Sequence, residues 1–144
     1  MAATGYDWGS WTYAKDSAGG DWDGNDTAAI IDTGSCTSNT FISMDIIAAC
    51  EVGIQIGDPG GAVDGVVTIY VLGDGGGMGD EEITANVGSP WSFTLTPVNG
   101  NIVYKRFSVD PGSYGTFKIA IANECGQTVA TYVKYRTATV PAAS

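Results

Sequence analysis

Histidine is absent from this chain, and only six Lys and Arg stand against 16 Asp and Glu. Without His there is no side chain that titrates near neutral pH of its own accord, no Ser-His-Asp or Cys-His nucleophile system, and none of the commonest zinc ligand. The scarcity of cations leaves a net charge of -10, which repels phosphate backbones and argues against nucleic acid as a partner. Cysteine is scarce too: Cys36, Cys50 and Cys125 are an odd number without CxxC spacing, which speaks against a disulfide framework and a zinc site. They read as buried free thiols of a protein made in a reducing cytoplasm. No apolar run approaches the roughly 18 residues of a membrane helix, so no membrane partner is expected. Met1 to Tyr6 lacks the cationic stretch and apolar core of a secretory signal.

What the chain has is glycine, 21 residues of 144, and only 15% charged residues. That is the composition of short strands joined by many tight turns, in a chain of a length suited to one domain. From residue 40 onward the strands can be read one by one. Phe41 to Ile47 alternates Ile42, Met44 and Ile46 against Ser43 and Asp45, and Val52, Ile54 and Ile56 alternate with Gly53 and Gln55. Asp58-Pro59-Gly60 has turn chemistry. Val66 to Leu72 is apolar on both parities, as expected of a central strand covered on two sides, and a glycine-rich loop at 73–79 follows. Glu81 to Val87 reads as a weak strand, and Trp91, Phe93 and Leu95 as one buried face, placing Trp91 in the core. Asn99-Gly100-Asn101 signals a hairpin into Ile102 to Val109, followed by the turn Asp110-Pro111-Gly112. Lys105 breaks the parity of that strand by sharing a face with Val103 and Phe107, which marks a bulge or an edge. Phe117, Ile119 and Ile121 form an inward face. After a turn at Asn123 to Gly126 a long final strand, Val129 to Val140, carries Lys134 and Arg136 on one side. About eight such strands without intervening helices predict an all-β fold, an antiparallel β-sandwich or jelly roll, over residues 40–144.

Residues 1–39 are different in kind. Tyr6, Trp8, Trp11, Tyr13 and Trp22 make the segment aromatic, and Asp16 to Thr27 is rich in Gly and Asp. It can form outer strands capping the sandwich, or an arm ordered against a partner subunit, in which case residues 1–25 could be removed without unfolding the rest. These five aromatic residues are the expected partner contacts, together with the loops at 58–65 and 73–80. The charge is uneven as well: residues 1–90 hold all carboxylates except Asp110 and Glu124, and only Lys15 among the cations. Either interleaved strands mix these charges in space, or copies of the chain attract one another through opposed faces.

Three chemistries come closest to a site. Asp21, Asp23, Asn25 and Asp32 fall at positions 1, 3, 5 and 12 of a calcium loop, although position 6 is Asp26 where the turn wants Gly, and position 12 lacks the bidentate Glu. An acidic, solvated turn is the plainer reading, so no cofactor is expected beyond that one calcium candidate. Four Trp and seven Tyr suit a carbohydrate-binding module, because flat rings stack on pyranose faces, but the same residues serve core and interface packing. Glu51, Glu81, Glu82 and Glu124 are the only glutamates, and nothing in their spacing sets up a facing catalytic pair. The loop at 73–79 lacks the Lys of a phosphate loop. No catalytic residue emerges, and the chain reads as a non-enzymatic binding protein.

The succession of a strand from Glu51 to Gly57, the turn Asp58-Pro59-Gly60-Gly61, the strand Val66 to Leu72, a Gly/Asp loop, Phe107-Ser108-Val109-Asp110-Pro111-Gly112 and a terminal strand pair resembles the small jelly-roll accessory proteins of tailed bacteriophage virions. Capsid cement or decoration proteins are the particular likeness, and it spans Thr40 to Val140. The resemblance implies production in the host cytoplasm without a signal and a place in the virion. It further implies multiple copies, no catalysis, and binding across joints between capsid subunits so that the head is stabilised. Tail or neck components and receptor-binding proteins of the same particles share such folds, and no residue role is carried over from the likeness.

Overall fold

A computed structural model describes residues 5–45, 47–74, 80–83, 91–111 and 114–140. Its elements are β1 (Asp7–Trp8), β2 (Thr12–Tyr13), a 3-10 turn (Asp26–Ala28), β3 (Ala29–Ile30), β4 (Ser35–Thr37), β5 (Ile42–Ser43), β6 (Ala49–Ile56), β7 (Val67–Gly73), β8 (Trp91–Leu95), β9 (Val103–Val109), β10 (Thr116–Asn123) and β11 (Val129–Thr139). They form two sheets, one in the order β1-β11-β6-β9 with β2 and β3 also on β11, the other in the order β4-β10-β7-β8 with β5 also on β10. Every pairing is antiparallel.

The eleven strands occupy eight lanes. β1, β2 and β3 lie end to end along one side of β11, facing Thr139, Lys134 and Val129 in turn, and so make one interrupted edge strand. β4 and β5 do the same beside β10. Taken as lanes in chain order, the first sheet runs first, eighth, third, sixth and the second runs second, seventh, fourth, fifth, which is the strand order of an eight-stranded jelly roll.

The inward faces follow the sequence parity. Cys50, Val52, Ile54 and Ile56 of β6 and Phe117, Ile119 and Ile121 of β10 are buried, against Val129 and Val133 of β11 and Val67, Ile69 and Val71 of β7. β7 is less enclosed than its composition suggests. Thr68 and Tyr70 on its outer face remain half-exposed, and only Leu72 there is buried. Lys105 lies on β9, and β9 ends its sheet, so the parity break marks an edge, where a charge can escape to solvent and discourage further strand pairing.

Turn chemistry at 58–60 forms as read. Gly60 has φ 71°, and the Asp58 carboxylate accepts the Gly60 N–H at 2.9 Å and the Gly100 N–H at 2.8 Å, which tie together the two loops leaving β6 and β8. These donors hold the Asp58 carboxyl below its usual range. The Asn99-Gly100 turn exists, with Gly100 at φ 86°, but it joins strands of different sheets, so the expected hairpin is a crossover. Local turn chemistry fixes the bend and not which sheet receives the next strand. Of the strand expected over 41–47, only Ile42–Ser43 pairs, and Ile46 lies outside the described residues. The strand read over 81–87 lies outside them from residue 84 onward, as do 75–79 of the glycine-rich loop and Gly112 of the second Asp-Pro-Gly turn.

Residues 7–30 are outer strands built into the fold. Trp22 is fully buried, so it cannot meet a partner, and its expected role as a contact is corrected. Its indole N–H donates to Thr131 Oγ1 at 2.7 Å, and the Thr131 hydroxyl donates to the Ala28 carbonyl at 2.7 Å, bolting the N-terminal lane to β11. Removal of residues 1–25 would therefore take out core. All three thiols are free and buried, and burial pushes Cys50 up to about 12 and Cys36 also upward. At neutral pH no thiol should react with a disulfide reagent until denaturant unfolds the chain, and reagent uptake followed across a urea series checks this.

Candidate functional site

The outer face of the first sheet gathers what the sequence scatters. On β11, Tyr132, Lys134 and Arg136 point away from the core, and so do Glu51, Gly53 and Gln55 on β6. In register, Lys134 stands beside Gly53, which stands beside Arg106, and Tyr132 stands beside Gln55, which stands beside Tyr104. Tyr13 of β2 continues the Lys134 row on the other side.

The N-terminal lane adds its indoles by a bulge. Between Trp8, opposite Ala138, and Thr12, opposite Tyr135, it has one residue more than β11, so Ser10 and Trp11 both fall against Arg136. The guanidinium carbon of Arg136 lies 4.4 Å from the Trp8 ring centre and 4.9 Å from that of Trp11. Lys134 Nζ sits 4.5 Å over the Tyr13 ring. Such cation–π contacts hold the rings and the cations in one layer.

Glu51 anchors this layer. One carboxylate oxygen accepts from Arg136 at 2.9 Å and the other from Arg106 at 3.0 Å. With both oxygens engaged by guanidinium groups, Glu51 is an organiser of the face and a poor candidate for acid–base chemistry. Elsewhere Lys15 pairs with Asp21 at 2.7 Å and Lys118 with Asp80 at 3.8 Å. The interleaving of strands thus mixes the two charge-biased halves only in part, because Arg106, Lys134 and Arg136 stay together on one face.

A cleft of about 550 Å3 opens on this face, lined by Trp11, Tyr13, Gln55, Tyr104, Arg106 and Lys134, with Gly53, Ile54 and Lys105 in its floor and Tyr132 in its wall. Gly53 makes the depression: with no side chain there, the six-membered ring of Trp11 approaches within 3.6 Å of where a Cβ would stand. Tyr132 is held from behind, where its ring packs against Gly24 so closely that no side chain would fit; the backbone there, with φ 87°, also favours glycine.

The sequence-predicted residues thus divide. Trp8, Trp11 and Tyr13 meet on this face, exposed Tyr6 packs edge-on against Trp8 with ring centres 6.1 Å apart, and Trp22 is core. Trp91, expected in the core, is 48% exposed on β8, where it leans on Phe93 and Phe107 at 5.2 and 5.5 Å. Among the described residues β8 ends its sheet, and an edge position leaves the ring half exposed. The calcium candidates do not converge: Asp21 is taken by Lys15, Asp23 accepts from Asn25 at 3.3 Å, and Asp32 accepts the Gly126 N–H at 2.9 Å. Among the described residues no three Asp, Glu or Cys side chains come together as a metal site.

Gln55, Tyr104, Arg106 and Tyr132 were missed from the sequence as site residues. Their parity was visible, since 104 and 106 share a face, as do 132, 134 and 136. Which strands lie side by side was not.

Among the described residues no helix is long and apolar enough to cross a membrane. No protein-family model matches the chain, and no curated protein matches its sequence.

Proposed function

We propose that this chain is a non-enzymatic structural protein of a virus particle, a capsid cement or decoration protein that sits between capsid subunits and stabilises the head. The observation that carries the reading is where the large apolar side chains are exposed. On one lateral edge of the sandwich are Tyr6, Trp11 and Ile31 of the N-terminal lane, with Val140 beside them. On the opposite edge are Trp91, Val98, Ile102 and Tyr104, along β8, β9 and the loop between them. Two adhesive edges on one rigid body suit a protein that bridges neighbours, and Trp, Tyr and Arg are the residues that dominate interface energetics. The jelly roll recurs among viral capsid domains, an analogy of fold alone. Tail, neck or receptor-binding proteins of a particle are variants of the same reading.

The test is protection of particles against heat. Ile31→Asp with Tyr6→Asp on one edge, or Ile102→Asp with Trp91→Asp on the other, should each abolish protection while leaving the thermal transition of the isolated protein in place. Full protection by either folded variant would end the bridging proposal.

A second reading, a carbohydrate-binding module, is favoured by the cleft over Gly53, where aromatic rings border a floor without side chains and the Gln55 amide lies between them. Jelly rolls also include lectin domains. Binding of an oligosaccharide in isothermal calorimetry, without any particle present, separates it from the first.

A further inference from the structure

We propose that the cleft over Gly53 is a binding site for a glycan that carries carboxylates, a uronic or sialic acid oligosaccharide. The inference rests on the carbohydrate reading and adds the chemical class of the sugar. Its starting point is a charge contrast. The chain holds 16 carboxylates and six cations, yet the charged side chains that face the cleft are those of Arg106 and Lys134, and no carboxylate lines it. Of the acids beside it, Glu51 has both oxygens occupied by Arg106 and Arg136, and Asp23, bridged to Tyr132, accepts from Asn25.

Of the two cations whose side chains share the cleft face, Arg106 is paired and Lys134 is not. Among the described residues, the ion pairs formed by basic side chains are those of Lys15, Arg106, Lys118 and Arg136, so Lys134 carries uncompensated positive charge into the cleft. Lys134 is placed by the Tyr13 ring beneath it, which fixes the ammonium without neutralising it. A cation held ready beside rings is suited to a ligand that is apolar on one face and anionic at its rim.

The rings supply that apolar contact. Trp11 stands at one side of the Gly53 floor and Tyr104, 67% exposed, at the other, while the Gln55 amide between them can both donate to and accept from hydroxyls. The lining comes from four adjacent lanes, β2, β11, β6 and β9, which at about 4.8 Å per lane span about 14 Å, room for about three pyranose rings. Rings with cations also suit single-stranded nucleic acid, but a phosphate at every nucleotide would have to approach a body of net charge -10 with only two cations facing it.

The experiment is a panel of acidic oligosaccharides (oligogalacturonate, oligoguluronate, hyaluronan fragments, sialyl-oligosaccharides), each paired with its methyl-esterified or carboxyl-reduced counterpart, followed by calorimetry on the intact protein. At least one acid should bind at least tenfold more tightly than its neutral twin, less tightly as salt rises, and at least tenfold more weakly to Lys134→Gln and to Trp11→Ala. Gly53→Val provides the control for folding. A branched residue suits a strand, so the variant should melt no lower than the unaltered protein, while its methyl groups fill the depression and abolish binding. Equal binding of an acid and its neutral twin overturns the carboxylate and leaves the carbohydrate reading standing. No binding across the panel, or tighter binding of an oligothymidylate, overturns both.

Discussion

Replacing Trp22 by alanine is expected to lower stability by about 3–5 kcal/mol, the cost of deleting a fully buried indole from a core that cannot close over the gap. Against a typical total of about 5–15 kcal/mol this brings the chain near the limit of folding at 37 °C. The loss is not only volume. The indole N–H donates to Thr131 Oγ1, and that hydroxyl donates to the Ala28 carbonyl, so the variant leaves part of a buried relay between the N-terminal lane and β11 unpaired. Trp22→Phe keeps most of the packing and loses the donor, and should cost about 1–2 kcal/mol. Urea titrations of the three proteins give the ranking. Hydrogen exchange should show residues 7–30 opening ahead of β6 and β10 in both variants, because the lane is held through this residue. Equal protection of all strands would mean that the relay does not hold the lane.

The same residue shows where the sequence stops being informative. β6, β10 and β11 were legible because strict alternation of apolar side chains has one physical reading, a strand with one face in the core. Trp22 lies among Gly and Asp with no periodicity around it, so nothing local distinguishes an indole inserted into the core from one held out to a partner. Trp91 is the converse: it alternates with Phe93 and Leu95, yet half of it is exposed because β8 is an edge, and edge position belongs to the topology. The cleft was half legible. Lys134 and Arg136 were placed on one face by parity, and Trp8, Trp11 and Tyr13 were singled out as contacts, but it takes the lane order to bring them over Gly53, beside Tyr104 and Arg106.

Lane order also explains why two proposals share one molecule. An interrupted first lane exposes Tyr6 and Ile31 at its ends, and its bulge turns Trp11 toward the Gly53 floor. The edges and the cleft are therefore separable by mutation: Ile31 and Ile102 are not among the lining residues, and Gly53 lies on β6, an inner lane of its sheet. Particle protection lost with sugar binding intact, and the reverse, are both accessible outcomes.

Glu51→Gln is expected to move stability and ligand affinity in opposite directions. The carboxylate is the shared counter-charge of Arg136 and Arg106, and its side chain is only 16% exposed. Arg106, two-thirds exposed, loses little, since ion pairs in water are worth about 0–1 kcal/mol. Arg136 loses more: it is three-quarters covered by Trp8, Trp11 and their surroundings, its Nε is already buried without a partner, and the amide in place of Glu51 offers it dipole where it had charge. About 2 kcal/mol is the expected cost, or a melting temperature lower by about 4–8 °C for a chain of this size. Truncating the arginine together with its partner avoids the stranded charge. The double variant Glu51→Gln with Arg136→Met should therefore be more stable than the sum of the single losses predicts, as a double-mutant cycle by thermal unfolding will show. If the cleft takes an anionic ligand, the single variant Glu51→Gln should bind it more tightly at low salt than the unaltered protein does, because one negative charge has left the face. A variant that is less stable and yet a better binder is an outcome that loss of packing alone would not produce.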